Sequence, residues 1–323
     1  MKIRVFTAFS GYDSQCMALD RAGIDYDLVG WSEIDKYAIS AHNAVYPQYS
    51  DRNYGDIAKI DWAQVPDFDL FTYSSPCQDF STAGLQRGGT KGSGTRSSLL
   101  WECERAIAAK RPKYLLFENV AALVSQKFIR LFNEWQLLLE RMGYTNFTQV
   151  LNAKDYGVPQ NRERVFMVSI RDCEQPYYFP KSVPLTKCIG DVLEYDVPEE
   201  YYLSERALKG LCRHNENHRK KGTGFIFNPK YRNEIANALR ANGAFSPTDN
   251  AILDSNRIRK LTPKECFRLM GVADTDSDKI TAALSKSRCY QVAGNSIVVD
   301  VLASIFDQLF DGNKNINQQT ELF

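Results

Sequence analysis

Four side chains with the chemistry of a covalent reaction are spaced along this 323-residue chain. Cys77 follows a proline in SSPCQDFSTAG (74–84), a polar stretch in which burial does not explain a thiol. Glu118 lies in FENV, and QNRERVF carries Arg162 and Arg164. A thiolate can attack an electrophilic carbon while an acid and cations stabilise the charge that develops. The pattern therefore suggests nucleophilic catalysis.

Each of these residues also has a plain structural interpretation when it is taken alone. A lone cysteine is usually a small buried side chain, and a glutamate at a strand end usually caps or forms a salt bridge. Arg162 and Arg164 would share one face of a strand, because side chains two residues apart point the same way. Only the convergence of all four residues at one edge of a sheet favours a catalytic site.

Alternating strand and helix patterns predict the scaffold that would bring these residues together. Strands are predicted at 3–9, 26–33, 68–73, 113–120, 148–153 and 164–170, and helices at 14–23, 35–47, 97–112 and 127–144. Strands that alternate with helices of this length predict an α/β fold with a doubly wound, mostly parallel, Rossmann-like sheet. Ligands bind beyond the carboxyl ends of such strands, where Cys77 and Glu118 fall.

The pattern changes after Arg171. Residues 172–256 contain many prolines and few long periodic runs. Residues 205–260 hold 12 Lys and Arg against 5 Asp and Glu, in a chain whose formal net charge is only +1. Helices are predicted again at 262–272, with Thr262 as cap and Pro263 in the first turn, and at 294–310. We therefore predict a larger domain (1–185 plus 289–323) that carries the candidate catalytic residues and a smaller, basic domain (186–288).

Composition excludes several classes of protein. Eight cysteines without a CxxC pair argue against a zinc ribbon or a disulfide scaffold and for reduced thiols in a cytosol. Cys212, His214 and His218 lack a nearby fourth ligand, so we expect no metal. No signal peptide is evident, and no stretch approaches the roughly 18 apolar residues of a membrane span. We expect a cytoplasmic protein without a membrane partner.

A second chemical pattern lies at the ends of the first two strands. AFSGYDS (8–14) predicts a strand, a turn at Gly11 and a helix start, where backbone can approach a ligand closely. Glu33 follows 22 residues later, where nucleoside-binding α/β folds place the acid that binds ribose hydroxyls. Asp13 stands where a second glycine is usual, so a plain structural turn remains an alternative.

As a set, SSPCQDFSTAG, FENV, QNRERVF, RKLTPKECFRLMG and QVAGNSIVVDVL resemble the DNA (cytosine-5)-methyltransferases, over about residues 3–172 and 257–310. The resemblance implies S-adenosylmethionine as methyl donor, with S-adenosylhomocysteine as product. It also implies a cytosine flipped out of duplex DNA as acceptor. We expect a monomeric bacterial or phage enzyme of the kind found in restriction-modification systems.

The resemblance also implies roles for individual residues. Cys77 would be the nucleophile beside Gln78, Glu118 would bind N3 and the exocyclic amine, and Arg164 would brace the carbonyl with Arg162 beside it. The implied donor-binding residues are Phe9, Ser10, Gly11, Glu33, Ile34, Asp56, Ile57, Pro76, Leu99, Asn295 and Ser296.

This chain departs from the family pattern at three places. Family members usually have Gly at the position of Asp13, often Trp at that of Ile34, and in many cases Thr-Leu where Ala238-Leu239 stands. These departures bear on the shape of the donor loop, on adenine stacking and on target contacts. They do not bear on the reaction.

The basic region reads as the part that contacts DNA. The predicted DNA-binding residues are Arg213, Arg219, Lys220, Lys221 and Arg240. A solvated loop is the alternative for this stretch. Two further functions remain open, namely methylation of cytosine in tRNA by a branch of the same family and a catalytically idle DNA-binding protein on this scaffold.

Overall fold

The computed structural model describes residues 2–75, 96–224, 226–242 and 245–310, with the backbone alone for 96–98. Pro76, Cys77 and Gln78 lie outside the described residues. The chain divides into two compact units. The first unit comprises Met1–Asn152, Glu163–Ser182 and Val301–Phe323, and the second comprises Ala153–Arg162 and Val183–Asp300.

A six-stranded sheet forms the centre of the first unit. Its strands are β1 (Ile3–Ala8), β2 (Tyr26–Ser32), β3 (Leu70–Tyr73), β4 (Tyr114–Val120), β5 (Tyr144–Asn152) and β7 (Glu163–Arg171), in the order β2-β1-β3-β4-β7-β5. Strands β2, β1, β3 and β4 are parallel. The predicted α/β fold with a mostly parallel sheet is confirmed.

Strand β7 differs from the other strands in its position and direction within the sheet. It lies between β4 and β5 and runs antiparallel to both. Its amino end therefore lies at the same edge of the sheet as the carboxyl end of β4. Arg164, the second residue of β7, pairs with Val120, the last residue of β4.

Helices flank the strands of the first unit, and their apolar faces form its core. They are α1 (Ser14–Arg21), α2 (Lys36–Val45), α3 (Glu102–Lys110), α4 (Ile129–Arg141) and α9 (Val299–Phe310), with short 3-10 helices at Pro47–Arg52, Ile57–Lys59, Arg96–Trp101 and Ala121–Val124. Phe6, Phe71, Phe117 and Trp135 are completely buried in this core. The third helix was predicted from residue 97, but α3 begins at Glu102 because 3-10 geometry occupies Arg96–Trp101.

The second unit is built from short strands and helices. Its elements are β6 (Gln160–Asn161), α5 (Glu205–Lys220), β8 (Ala236–Asn237), β9 (Ala251–Asp254), β10 (Arg257–Lys260), α6 (Pro263–Leu269), α7 (Asp274–Ala283) and α8 (Lys286–Asn295), with 3-10 helices at Ala153–Tyr156, Ile189–Val192 and Glu199–Tyr201. Helix α6 begins as predicted, because Thr262 and Glu265 form a capping box.

Residues 172–256, whose sequence shows few long periodic runs, contain a 16-residue helix, α5, in which charged residues outnumber the apolar ones of the buried face. One sequence prediction for the end of the chain was wrong. The single helix predicted at 294–310 is instead the end of α8 and the whole of α9, separated by residues 296–298. The predicted domain boundaries, 185 and 289, also differ from the observed division at 182 and 300. The assignment of catalytic and recognition roles stays a prediction.

The stretch Lys286–Phe310 bears on the expectation of no membrane span. By length and composition alone it is long and apolar enough to cross a membrane, whereas the sequence analysis expected no such stretch. However, 61% of its most apolar window is buried inside the protein, which is typical of a core helix.

Candidate active site

The turn after β1 has an unusual backbone. Phe9, Gly11 and Asp13 have φ angles of 55°, 60° and 67°, which lie in the left-handed region that favours glycine. No described atom lies within 4 Å of the position that a Cβ would take on Gly11. This turn therefore leaves open space beside its backbone, as a ligand-binding turn requires.

The Glu33 carboxylate links this turn to the loop after β2. Its Oε2 accepts a hydrogen bond from the Gly11 amide (3.1 Å), and its Oε1 accepts from the amides of Ile34 (2.8 Å) and Asp35 (2.9 Å). A carboxylate oxygen can accept two hydrogen bonds, so Oε2 keeps capacity for a ligand hydroxyl. The link between Gly11 and Glu33 agrees with the sequence pattern.

Asn53 is a supporting residue that sequence reasoning missed. Its side-chain Oδ1 accepts from the amides of Glu33 (3.2 Å) and Gly55 (2.9 Å), and its Nδ2 donates to the Glu33 carbonyl (3.2 Å). It thereby joins the loop after β2 to the loop that leads to Asp56. No local sequence signal identifies this residue, because its partner Glu33 lies 20 positions away.

Two side chains of these loops fit an aromatic, polar ligand such as the adenosyl group. Ile34 exposes 69% of its surface, unusual for a large aliphatic side chain. The hydroxyl of Ser10 is buried and has no hydrogen-bond partner among the described residues. An exposed apolar surface and a free buried hydroxyl are features that a bound nucleoside would satisfy.

Three other residues that were predicted to bind the methyl donor differ in their surroundings. Asp56 caps the 3-10 helix Ile57–Lys59 through the Ala58 amide (3.1 Å). The side chain of Ile57 is only 2% exposed and belongs to the core, so only its backbone can face a ligand. Leu99 is half-buried and packs against the same core.

Glu118 and Arg164 meet at the carboxyl end of β4. The Arg164 Nε lies 3.3 Å from the Glu118 Oε1, and both side chains are largely buried. The antiparallel pairing of β7 with β4 produces this contact, because it brings the start of one strand beside the end of the other.

Asn119 is the second residue that sequence reasoning missed. It follows Glu118, and its Nδ2 donates to the carbonyl of Ser75 (3.0 Å) at the end of the described part of this segment. Both residues are buried. The segment that leads to Cys77, two residues further on, is therefore anchored to the strand end that carries Glu118.

The other cysteines fall into two groups. Cys16, Cys103 and Cys266 are buried, and burial raises the pKa of each thiol well above its usual value. Burial also raises the pKa of Cys289 to about 11. These four thiols therefore stay protonated and poorly nucleophilic at neutral pH. Cys173, Cys188 and Cys212 are at least partly exposed.

Arg162 lies in the second unit, before β7, and so does not share a strand face with Arg164 as the spacing predicted. Its guanidinium is buried and donates to three main-chain carbonyls, those of Leu239 (2.9 Å), Gly294 (3.1 Å) and Ser296 (2.7 Å). These bonds tie three separate segments of the second unit together. They include Ser296, whose neighbour Asn295 is exposed.

Helix α5 presents a row of cations to solvent. Arg206, Lys209, Arg213 and Lys220 are exposed and spaced so that they lie along one face of the helix. None of the four forms an ion pair with a described residue. The opposite face packs through Leu211 against a small core. Of the other predicted DNA contacts, Arg219 and Lys221 are also exposed, near the end of the helix.

Arg240 lies apart from this helix, at a cavity of about 360 Å³ within the second unit. Aromatic and cationic side chains line the cavity, including Tyr201, Phe245, Lys260 and Tyr290. The Lys260 ammonium lies 5.9 Å from the centre of the Phe245 ring. Among the described residues, no group of three or more His, Cys, Asp or Glu side chains could hold a metal ion.

Comparisons with known proteins agree with these observations. The sequence model of the C-5 cytosine-specific DNA methylase family matches residues 3–311. The chain is 37% identical to the type II methyltransferase M2.ScrFI of Lactococcus lactis subsp. cremoris, over 95% of this chain and 99% of that protein. It is 32% identical to the type II methyltransferase M.NlaX of Neisseria lactamica, over 95% and 96% of the two chains.

A solved structure shares the fold. The Dnmt2 methyltransferase of S. pombe superposes with a TM-score of 0.79 at 19% identity, over 96% of this chain and 99% of that one.

Proposed function

Because this chain belongs to the C-5 cytosine-specific DNA methylase family and is a DNA (cytosine-5)-methyltransferase, we propose that it acts by a covalent route with Cys77 as nucleophile. The observation that carries the proposal is the buried Glu118–Arg164 pair, 3.3 Å apart, next to the hydrogen bond from Asn119 to the Ser75 carbonyl. An acid and a cation are thus held at the strand end whose Asn119 bonds Ser75, two residues before Cys77 in the sequence.

The residues of this chain act on the cytosine ring in a defined order. The Cys77 thiolate adds to C6, and the electron pair of the C5–C6 double bond then makes C5 nucleophilic. As the thiolate adds, protonated Glu118 supplies a proton to N3 and takes it back when the thiolate is expelled, and Arg164 orients Glu118 and faces the ring carbonyl. After methylation, loss of the C5 proton to a base returns an electron pair that expels the thiolate and restores the double bond.

The turn and loops around Gly11 and Glu33 would hold the donor. When bound, S-adenosylmethionine supplies an electrophilic methyl group on a sulfonium. Glu33 would accept from the ribose hydroxyls, Ile34 would cover one face of the adenine, and Ser10 would bond the methionine end. The exposed Ile34 and the unpartnered Ser10 hydroxyl support this assignment.

Removal of the Glu33 carboxylate should weaken donor binding. In Glu33→Ala, we expect the affinity for S-adenosylhomocysteine to fall by about 1.5–3 kcal/mol, the scale of hydrogen bonds to a charged group. Isothermal calorimetry of the folded variant measures this. Glu134→Ala removes an exposed carboxylate on α4 and serves as control. Equal affinities of Glu33→Ala and wild type would remove Glu33 from the donor site.

The cation row of α5 would contact phosphates of duplex DNA. Replacing Arg213 and Lys220 with Ala should flatten the log–log salt dependence of DNA binding by about two units, roughly 0.9 for each phosphate interaction removed. Affinity for the donor should not change. A variant with Arg130→Ala and Arg141→Ala, two exposed cations of α4, should keep the wild-type slope. An unchanged slope in the α5 variant would show that this face is exposed to solvent and does not contact DNA phosphates.

Bisulfite sequencing of DNA from cells that express the chain tests the function most directly, since it reports both activity and target sequence. Methylation at a recurring sequence supports the proposal. A parallel assay with labelled donor compares duplex DNA and tRNA as acceptors. The family and its type II relatives favour DNA. Methylation of tRNA alone would overturn the duplex-DNA assignment.

A further inference from the structure

Asp13 occupies a position where the resemblance leads one to expect glycine, and its carboxylate is completely buried. Its backbone keeps the left-handed conformation, with φ 67° and ψ 56°, which aspartate tolerates better than most residues. Its amide donates to the Ser10 carbonyl (2.8 Å), and its Oδ1 accepts from the Cys16 amide (3.3 Å) at the start of α1. The substitution therefore preserves the turn and adds a charge beneath it.

This carboxylate connects three elements of the first unit. Its Oδ2 accepts from the Thr7 hydroxyl of β1 (2.9 Å) and lies 3.5 Å from the Nε2 of His42 in α2. The side chains of Asp13 and His42 have no exposed surface. A buried carboxylate is costly unless donors and a cation compensate it. Among the described residues, the His42 imidazole is the basic group that lies within ion-pair distance of this carboxylate.

The imidazole of His42 is itself held in place. It stacks on Trp31, with ring centres 3.7 Å apart and planes inclined by 20°. Its Nδ1 lies 3.3 Å from the Asn43 Oδ1, and its Nε2 makes no well-aligned hydrogen bond with any described atom. Trp31 lies two residues before Glu33. The stack therefore fixes the ring against the strand end that carries the proposed ribose acid.

Neighbouring ionisable groups do not supply the compensating charge. Burial and the nearby Asp13 raise the pKa of the Cys16 thiol, and burial raises the pKa of the Tyr26 and Tyr46 hydroxyls. All three stay neutral at neutral pH. Asp20, which accepts from the Tyr46 hydroxyl (2.9 Å), adds only further negative charge. Of the described residues, His42 is the one that places a basic nitrogen within 4 Å of the Asp13 carboxylate.

We propose that Asp13 and His42 act as a pair of positioning residues for the methyl donor. Asp13 holds the end of β1 and the Phe9–Gly11 turn, His42 holds the end of β2, and their contact fixes the distance between the two ends. This inference rests on the proposed donor site. The Asp13 carboxylate accepts hydrogen bonds from the Thr7 hydroxyl and the Cys16 amide, contacts that a glycine at this position could not make.

Four variants test the pair, each measured for affinity, kinetics and stability. Asp13→Asn keeps the left-handed turn and the oxygen acceptor but removes the charge. Asp13→Gly restores the family residue. His42→Gln keeps a donor towards the carboxylate, and His42→Leu removes it. Calorimetry measures binding of S-adenosylhomocysteine, steady-state kinetics give kcat and the donor KM, and thermal unfolding of the donor-free protein gives Tm.

We expect Asp13→Asn, Asp13→Gly and His42→Leu to bind S-adenosylhomocysteine about tenfold more weakly, since each removes the contact between the Asp13 carboxylate and the His42 imidazole that joins the two strand ends. The donor KM should rise in proportion while kcat changes less than about twofold, because the pair touches no reacting atom. His42→Gln should recover most of the affinity. A merely structural pair would lower Tm and leave affinity and KM of the folded protein unchanged, and this would overturn the proposal.

The wild-type protein separates this inference from the function on which it rests. If wild type fails to bind S-adenosylhomocysteine, the proposed donor site fails. If wild type binds it and Asp13→Asn and His42→Leu bind equally well, only the positioning pair fails. An affinity loss in His42→Gln as large as that in His42→Leu would also overturn the pair, because the donor towards Asp13 would then be irrelevant.

Discussion

Replacement of Cys77 by alanine should abolish methylation and prevent formation of a covalent complex with DNA. Fluorine at C5 cannot leave as a cation, so duplex DNA with 5-fluorocytosine in the target should trap the wild-type enzyme. The trap should require S-adenosylmethionine, because the blocked elimination follows methyl transfer. We expect a fall in kcat of at least about 10⁴-fold in Cys77→Ala, the scale on which removal of a nucleophile acts. A denaturing gel and peptide mapping detect the adduct.

The control variants distinguish loss of chemistry from loss of the site. Cys77→Ala should still bind donor and DNA, since the thiol's role is bond formation. Cys173→Ala, which removes a partly exposed thiol of the first unit, should form the adduct as wild type does. A crosslink that maps to any cysteine other than Cys77, or full methylation by Cys77→Ala, would disprove the covalent route.

Glu118→Gln should lower kcat by about 10²–10³-fold with little change in donor affinity. The amide keeps the size of the side chain but can neither hold nor supply a proton at N3, and general acid–base catalysis contributes factors of this order. The substitution also leaves the buried Arg164 guanidinium without its charged partner at 3.3 Å. Formation of the 5-fluorocytosine adduct should slow by a similar factor. Rapid-quench kinetics of methyl transfer give the rate.

Glu134→Gln is the matched control for this experiment. Glu134 forms an exposed pair with Arg130 on α4, so its replacement should leave kcat unchanged. A circular-dichroism melt of both variants checks that they are folded. If folded Glu118→Gln methylates DNA at the wild-type rate, Glu118 takes no part in protonating the ring.

The sequence carried enough information for the fold class. Regular alternation of strands and helices predicted the sheet, and it placed Gly11 and Glu33 after two consecutive strands, where the structure joins them by a hydrogen bond of 3.1 Å. Both depend on short-range patterns along consecutive elements. The same pattern gave no sign that β7 inserts antiparallel between β4 and β5. The Glu118–Arg164 contact depends on that insertion.

Sequence patterns could not predict the supporting residues for a related reason. Asn53, Asn119 and the Asp13–His42 pair act through partners about 20 to 44 positions away, so their meeting depends on the assembled tertiary structure. Helix α5 was missed because charged residues dominate its sequence. Arg162 was misplaced because a spacing of two implies one strand face only inside a strand, and β7 begins one residue later.

The three hydrogen bonds of Arg162 bear on which substitutions the second unit can tolerate. Its three acceptors are main-chain carbonyls, which every residue type provides, so the anchor places no demand on the side chains of the segments it joins. The constraint falls instead on Gly294, where a Cβ would lie 2.4 Å from the Arg240 backbone. Substitutions in the segments that Arg162 joins can therefore leave its three hydrogen bonds in place, provided that position 294 keeps a glycine.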